Sequence, residues 1–158
     1  MKKLVKESLF ELEVAPSSGP EEIKSRSTKK GFETNIEDDT LQNDKFREVL
    51  YTGENLQLVV MTLKPGENIG MEVHQNDQFF RFEAGNGKVI INDTEYNVSD
   101  GSGIIVPAGS SHDVINTGKV ALQLYTLYGP PHHKDKTIHN TKEDAERDHE
   151  EFKGKTTE

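Results

Sequence analysis

The chain has 158 residues, a length that suits one domain, and its composition excludes several classes of protein. Its formal net charge of −9 would repel a phosphate backbone, so we expect no nucleic-acid partner. Because it has no cysteine, any metal ligands must be histidine nitrogens or side-chain oxygens. No apolar run is long enough for a signal peptide or a membrane span, which favours a cytoplasmic location without a membrane partner.

The first 30 residues are predicted to be a flexible leader or an edge strand. Residues 9–14 carry a short apolar and acidic alternation that is typical of a strand, and residues 16–20, rich in Pro, Ser and Gly, interrupt it. Residues 31–45 are polar and are predicted to form a surface connection. Charged residues are denser up to residue 45 and after residue 128 than between them, which places the folded body in the middle.

The middle of the chain predicts short β-strands separated by turns. The predicted strands cover residues 46–51, 56–63, 71–74, 78–83, 88–92, 95–98, 103–106, 112–116 and 120–128. Gly, Pro, Asn and Asp mark the turns between them, and there is no helical period. This pattern predicts an all-β sandwich or barrel.

Two blocks of regularly spaced residues lie within this region. The first block consists of Gly66, Glu72, His74, Gln78 and Gly85. The second consists of Gly101, Pro107, Gly109, His112 and Asn116. Their spacing resembles the paired motif of the cupin family. The resemblance implies an all-β cupin jelly-roll barrel, which we place at residues 31–140, with a charged C-terminal helix or tail at residues 141–158.

The resemblance also implies a metal site with Glu72, His74, Gln78 and His112 as ligands. The family usually has His where this chain has Glu72, and Glu where it has Gln78, so the set still contains a single carboxylate. Mixed nitrogen and oxygen ligands suit one divalent transition metal: zinc, nickel, iron or manganese. The alternative is a metal-free polar pocket in which Glu72 and the two histidines hydrogen-bond each other.

Strand alternation selects further candidates near this site. Gln78, Phe80 and Phe82 share one face of a predicted strand, so both phenylalanines are candidate substrate-binding residues that line the cavity. Asp77 is either an acceptor that orients the His74 imidazole or a solvated loop carboxylate.

The C-terminal region changes character after residue 128. Gly and Pro at residues 129–131 end the last strand, and residues 141–144 look like a helix start with an acidic first turn. The helix predicted to continue to Phe152 has almost no apolar stripe, so we expect a marginal or frayed surface tail. The histidines before it could belong to a polar loop, bind a second metal, or close over the barrel mouth: His132, His133 and His139.

Cupins include isomerases, epimerases, dioxygenases and non-catalytic modules, so the fold does not select the function. We expect a metal-dependent enzyme that acts on a small polar molecule, either by isomerase or epimerase-type Lewis-acid chemistry on a sugar or sugar acid, or as a dioxygenase. The alternative is a non-catalytic module that binds a small-molecule ligand in the same pocket. Residues 56–63 are apolar on both faces, which predicts a homodimer packed sheet to sheet as a cover.

Overall fold

The computed structural model describes residues 26–158. Residues 31–158 form one compact unit. The leader predicted at residues 1–30 lies outside the described residues, except for residues 26–30, which contain no helix or strand.

Antiparallel strands dominate the described part of the chain. The elements follow in the order α1 (Ile36–Gln42), β1 (Arg47–Thr52), β2 (Gln57–Leu63), β3 (Asp77–Ala84), β4 (Asn86–Ile91), β5 (Thr94–Ser99), β6 (Gly103–Val106), β7 (His112–Asn116), β8 (Leu122–Gly129), β9 (Ile138–His139) and α2 (Lys142–Arg147). One sheet has the order β6-β3-β8-β2-β1-β9 and the other has the order β5-β4-β7. The prediction of an all-β jelly roll with a short C-terminal helix is confirmed.

The hydrophobic core is built from the inward residues of both sheets. Phe80 and Phe82 of β3, Leu122 and Leu124 of β8 and Val89 of β4 have no exposed surface. Buried and partly buried residues alternate along the whole of β8, as expected for a strand with one face toward the core. Each such aliphatic or aromatic side chain contributes about 1.5–3 kcal/mol by leaving water. These contacts hold the barrel in which the candidate site lies.

Helix α1 was not predicted, because residues 31–45 looked like a polar connection. The Asn35 side chain accepts a hydrogen bond from the backbone N–H of Asp38, and three acidic residues occupy the first turn. Both features stabilise a helix N-terminus. The Gln123 side chain of β8 donates to the carbonyl of Leu41 and ties the helix to the large sheet. The cap and the acidic turn were the signals that could have identified this helix.

The segment of residues 71–74 is not the strand that the sequence predicted. Its ladder contact is a single antiparallel bridge between Glu72 and His112. The alternation of side chains nevertheless holds, because Met71 and Val73 are 59% and 61% exposed while Glu72 and His74 are partly buried. The residues of functional interest therefore face inward without a continuous strand to hold them.

Glycine is required where the chain turns beside the site and the core. Gly85 has φ +87°, and a Cβ atom there would overlap the carbonyl oxygen of Ala121 and lie 2.9 Å from Leu122 Cα. Gly109 has φ +80° and donates its N–H to the carbonyl of His74 at 2.8 Å. Both positions favour glycine because other residues rarely adopt positive φ. Glycine at these two positions therefore supports the turns beside the site and the core.

The C-terminal tail differs from the frayed helix that we expected. Helix α2 ends at Arg147, well before Phe152, and the chain continues without a further helix or strand. The N–H of Phe152 donates to the carbonyl of His132 at 3.0 Å, and that of Thr157 donates to the carbonyl of Thr52 at 2.9 Å. Backbone hydrogen bonds thus hold the tail. The expectation of a frayed tail was based on the lack of an apolar stripe, which does not reveal such bonds.

The outer face of the large sheet carries an apolar groove of about 260 Å³, whose lining includes Leu56, Phe79, Ile105 and Leu127. The predicted homodimer would cover such a face, and it stays a prediction. Among the described residues, no helix is both long and apolar enough to cross a membrane.

Candidate functional site

Three of the four predicted metal ligands meet inside the barrel. One ligand atom from each of Glu72, His74 and His112 lies within 4.8 Å of the others. Glu72 and His112 face each other directly, since the backbone N–H of each donates to the carbonyl of the other at 2.9 Å. Facing residues of an antiparallel pair place their side chains side by side. His74 follows Glu72 by two residues and therefore shares its face.

Gln78, the fourth predicted ligand, lies next to this cluster. Its side chain is buried, and its Oε1 lies 3.0 Å from Nε2 of His74. Its Nε2 donates to Oγ1 of Thr126 at 2.9 Å, which fixes the orientation of the amide and turns the oxygen toward the histidines. Direct ligation by Gln78 stays a prediction, and in this arrangement the amide positions the His74 ring.

Two imidazole nitrogens of the cluster are buried without a hydrogen-bond partner among the described residues. They are Nδ1 of His74 and Nε2 of His112. In each ring the other nitrogen faces an oxygen acceptor: Gln78 Oε1 for His74, and the carbonyl of Ser110 at 3.1 Å for His112. The unpartnered nitrogens therefore carry lone pairs. Leaving such an atom buried and unpaired costs about 1–3 kcal/mol, and a cation would compensate for it.

The electrostatics of the cluster also suit a cation. Burial raises the pKa of Glu72, although the charges of Arg47 and His112 partly oppose this shift. Burial and the charge of His112 lower the pKa of His74. The site thus disfavours an unpaired carboxylate and a protonated imidazole. A bound cation would pair with the carboxylate and would favour the neutral imidazole as a ligand. The donor set fits a divalent metal.

The other predicted site residues have different surroundings. Phe80 and Phe82 are fully buried in the core, and the Phe80 ring lies 6.2 Å from the His112 ring. Phe80 forms an apolar wall beside His112, Phe82 stacks on Phe80, and the contact of both with a substrate stays a prediction. Asp77 does not orient His74: it is exposed, and its Oδ1 accepts a hydrogen bond from the N–H of Ala108 at 2.9 Å.

The loop after β8 brings one tail histidine to the cluster. The ring of His132 lies 4.8 Å from the ring of His74 and stacks on Tyr128 at 5.3 Å. Burial, with the charges of His133 and His74, lowers the pKa of His132 to about 4, so this ring is neutral at neutral pH. Of the alternatives for the tail histidines, closure over the barrel mouth describes His132.

Gln57 holds the loop after β8 that carries His132 and His133, here called the histidine loop. Gln57 was not identified as a site residue from the sequence. Its side chain is fully buried at the start of β2. Its Oε1 accepts from the N–H groups of His132 and His133 at 3.1 and 2.8 Å, and its Nε2 donates to the carbonyl of His133 at 2.7 Å. The sequence signal that could have identified Gln57 is its spacing of two and four residues from Val59 and Met61. This spacing places its uncharged polar side chain on the inward face of the strand.

A buried hydrogen-bonded chain runs from the tail to the site. Oε1 of Glu150 lies 2.6 Å from Nδ1 of His133, and Nε2 of His133 lies 3.2 Å from the Tyr128 hydroxyl. Burial lowers the pKa of His133, although the hydrogen bond to Glu150 opposes it. Burial alone would raise the pKa of Glu150, but its hydrogen bonds and nearby charges hold it below the usual value. Neutral His133 therefore donates to a charged carboxylate and accepts from Tyr128.

This buried histidine is expected to make the stability of the barrel depend on pH. The folded state binds the His133 proton at a lower pH than the unfolded chain does, because burial lowers this pKa. Below about pH 6.5 the unfolded chain therefore binds more protons, and the free energy of unfolding falls. Urea unfolding at about pH 7.5 and 5.5 measures the decrease, which should be smaller in His133→Asn.

The exposed His149 provides the matched control, because it lies outside the buried hydrogen-bonded chain from Glu150 to Tyr128. Identical pH dependence in His133→Asn and the wild type would contradict the buried, neutral state of His133.

Comparisons with known proteins agree with this geometry. A family model described as "Cupin domain" matches residues 59–128. Uncharacterized protein YrkC of Bacillus subtilis is 47% identical over an alignment of 123 residues, and the match covers 73% of this chain and 66% of YrkC. Uncharacterized protein L612 of Acanthamoeba polyphaga mimivirus is 38% identical over 107 residues, covering 65% of this chain and 67% of L612. The chain thus spans about two thirds of the length of these relatives.

A solved structure is similar over most of its own length. The crystal structure of BH2720 from Bacillus halodurans superposes with a TM-score of 0.73 at 42% identity. The match covers 74% of this chain and 94% of BH2720.

Proposed function

This chain belongs to the cupin family, and on that premise we propose that it is a metal-dependent enzyme that acts on a small polar molecule. One observation carries the proposal: Glu72, His74 and His112 converge, and two lone-pair nitrogens in this cluster have no partner among the described residues. Zinc, nickel, iron or manganese held there would supply Lewis-acid polarisation of a substrate carbonyl or hydroxyl.

The surrounding residues have separate tasks in this proposal. Glu72 provides the single anionic ligand, whose burial a cation would compensate. His74 and His112 provide neutral nitrogens, and Gln78 either orients His74 or adds an oxygen ligand. The apolar wall formed by Phe80 limits water on one side of the cluster, which strengthens electrostatic interactions there.

The chain from Glu150 through His133 to Tyr128 favours isomerase or epimerase-type chemistry on a sugar or sugar acid over a dioxygenase reaction. Burial raises the pKa of Tyr128, so its hydroxyl stays protonated and donates to Nε2 of His133, while its oxygen can accept a proton or a hydrogen bond close to the cluster. His133 fixes the direction of that O–H through its Nε2, and Glu150 fixes the tautomer of His133. An isomerase needs such proton-holding groups, whereas oxygen chemistry does not.

The alternative is a non-catalytic module that binds a small ligand in the same pocket. It needs the inward-facing cluster but no proton transfer by Tyr128. The two proposals therefore differ in whether the hydrogen-bonded chain matters for more than stability.

Elemental analysis of the purified full chain tests the metal site. We expect about one equivalent of a transition metal in the wild type, and its loss from Glu72→Ala and His74→Ala. His112→Ala should lower metal affinity by at least about tenfold, since it removes a nitrogen ligand. Glu95→Ala and His149→Ala replace exposed residues of the same types and should retain the metal.

The identity of the metal separates the two reaction classes, because zinc favours Lewis-acid chemistry while iron or manganese also permits oxygen chemistry. If every sample remained free of metal after incubation with zinc, nickel, iron and manganese, the proposed enzyme would be rejected and the binding module would replace it.

A further inference from the structure

Arg47 is a buried cation that is not one of the candidate metal ligands Glu72, His74 and His112. It is the first residue of β1, and only 7% of its surface is exposed. Its Nε is buried without a hydrogen-bond partner, and its NH1 lies 3.4 Å from Nδ1 of His139, a long contact. Within the described part of the chain, Arg47 forms no ion pair with a carboxylate. A buried guanidinium in this state costs several kcal/mol and calls for an anionic partner.

The guanidinium borders a cavity that reaches the candidate metal site. This cavity has a volume of about 160 Å³, and Arg47, Glu72 and Lys142 contribute to its lining together with the apolar side chains of Phe46 and Ile69. Since a water molecule occupies about 30 Å³ in the liquid, the cavity suits a molecule of a few non-hydrogen atoms. One end of such a molecule would contact Arg47 while the other faces Glu72.

The charges that line the cavity indicate which anion fits. Arg47 and Lys142 are cationic, while Glu72 and Glu146 are anionic, so the lining itself is formally neutral. Lys142 is already engaged, because its Nζ donates to Oδ1 of Asn68 at 2.6 Å. A single negative charge is therefore easier to accept than the two charges of a phosphate. The planar guanidinium fork also matches the geometry of a carboxylate.

We propose that Arg47 binds the carboxylate group of a small organic acid, whose remaining atoms extend through the cavity toward Glu72, His74 and His112. This inference rests on the proposed function, because it makes the substrate of the metal site a small carboxylate, such as a short sugar acid, rather than a neutral sugar.

Binding of simple probes to the full-length protein tests the inference. Acetate, pyruvate and malonate are titrated by calorimetry against the wild type, with acetamide and inorganic phosphate as neutral and dianionic comparisons. At least one carboxylate is expected to bind saturably, and more tightly than both comparisons. Arg47→Met should weaken its binding by at least about tenfold, which is the scale of a charge-assisted hydrogen-bonded pair.

Arg47→Lys keeps the charge but not the fork, so it should fall between the wild type and Arg47→Met. It also keeps the test valid if Arg47→Met does not fold. Arg81→Met is the matched control, because Arg81 lies on β3 and pairs with Glu83 away from the cavity. This control should bind like the wild type.

The inference is overturned if no carboxylate binds, if phosphate binds better, or if the Arg47 variants bind like the wild type. Metal content of the same samples is measured separately. Arg47-dependent carboxylate binding by protein that takes up no metal would reject the enzyme proposal and keep the anion site. Metal uptake without Arg47-dependent binding would reject the anion site and keep the enzyme proposal.

Discussion

Replacing Gln57 by leucine is expected to lower the free energy of unfolding by about 3–5 kcal/mol and to release the histidine loop from the site. Leucine fills a similar volume, but it leaves the N–H groups of His132 and His133 and the carbonyl of His133 without their partner. Each buried backbone group without a hydrogen bond costs about 1–3 kcal/mol. Urea unfolding measures the loss.

The control for this variant is Gln75→Leu, which replaces an exposed glutamine and should change stability by less than about 0.5 kcal/mol. A loss below about 1 kcal/mol in Gln57→Leu would show that water replaces the glutamine and that the loop does not depend on it.

Truncation after Arg147 is expected to lower the free energy of unfolding by about 3 kcal/mol or more, which places it among the large effects for a small domain. The truncation removes the carboxylate of Glu150, which accepts hydrogen bonds from Nδ1 of His133 and from the N–H of Lys134 at 2.6 Å each. It also removes the bond between Phe152 and the histidine loop. Thermal and urea unfolding of the truncated chain measure the change.

The substitution Glu150→Leu separates the loss of the Glu150 hydrogen bonds from the loss of the Phe152 hydrogen bond. Glu150→Leu should produce the larger share of the loss, because both side chains of the His133 pair are buried, at 6% and 7% exposure. Glu151→Leu changes the neighbouring exposed carboxylate and should have little effect. A truncated chain as stable as the wild type would restore the view of the tail as a surface appendage.

The strand pattern of the sequence predicted the barrel, and the resemblance to the cupin motif predicted that Glu72, His74 and His112 converge. Alternation with a period of two determines which side chains face inward, and it survives in residues 71–74 even though the strand does not form. Gly85 and Gly109, which belong to the two spaced blocks, adopt positive φ, a local requirement that favours glycine.

The parts that the sequence did not predict depend on distant contacts. Gln57 is 76 residues from His133, and nothing near either residue indicates that they meet. Glu150 lies in a run of charged residues, so its burial could not be distinguished from the exposure of Glu151 beside it. Arg47 lies in the predicted strand of residues 46–51, where no local pattern indicates that it is buried beside a cavity. Pairing across a fold is a tertiary property that local pattern does not encode.

The hydrogen bonds of Thr157 and Glu158 affect the whole segment after helix α2. The Glu158 side chain accepts from the N–H of Gly31 at 2.6 Å, and Thr157 is bonded to β1. The segment after Arg147 is therefore fixed at its far end as well as at Phe152, and Glu150 lies between helix α2 and these anchors. Its carboxylate is thus held beside His133 by contacts on both sides along the chain.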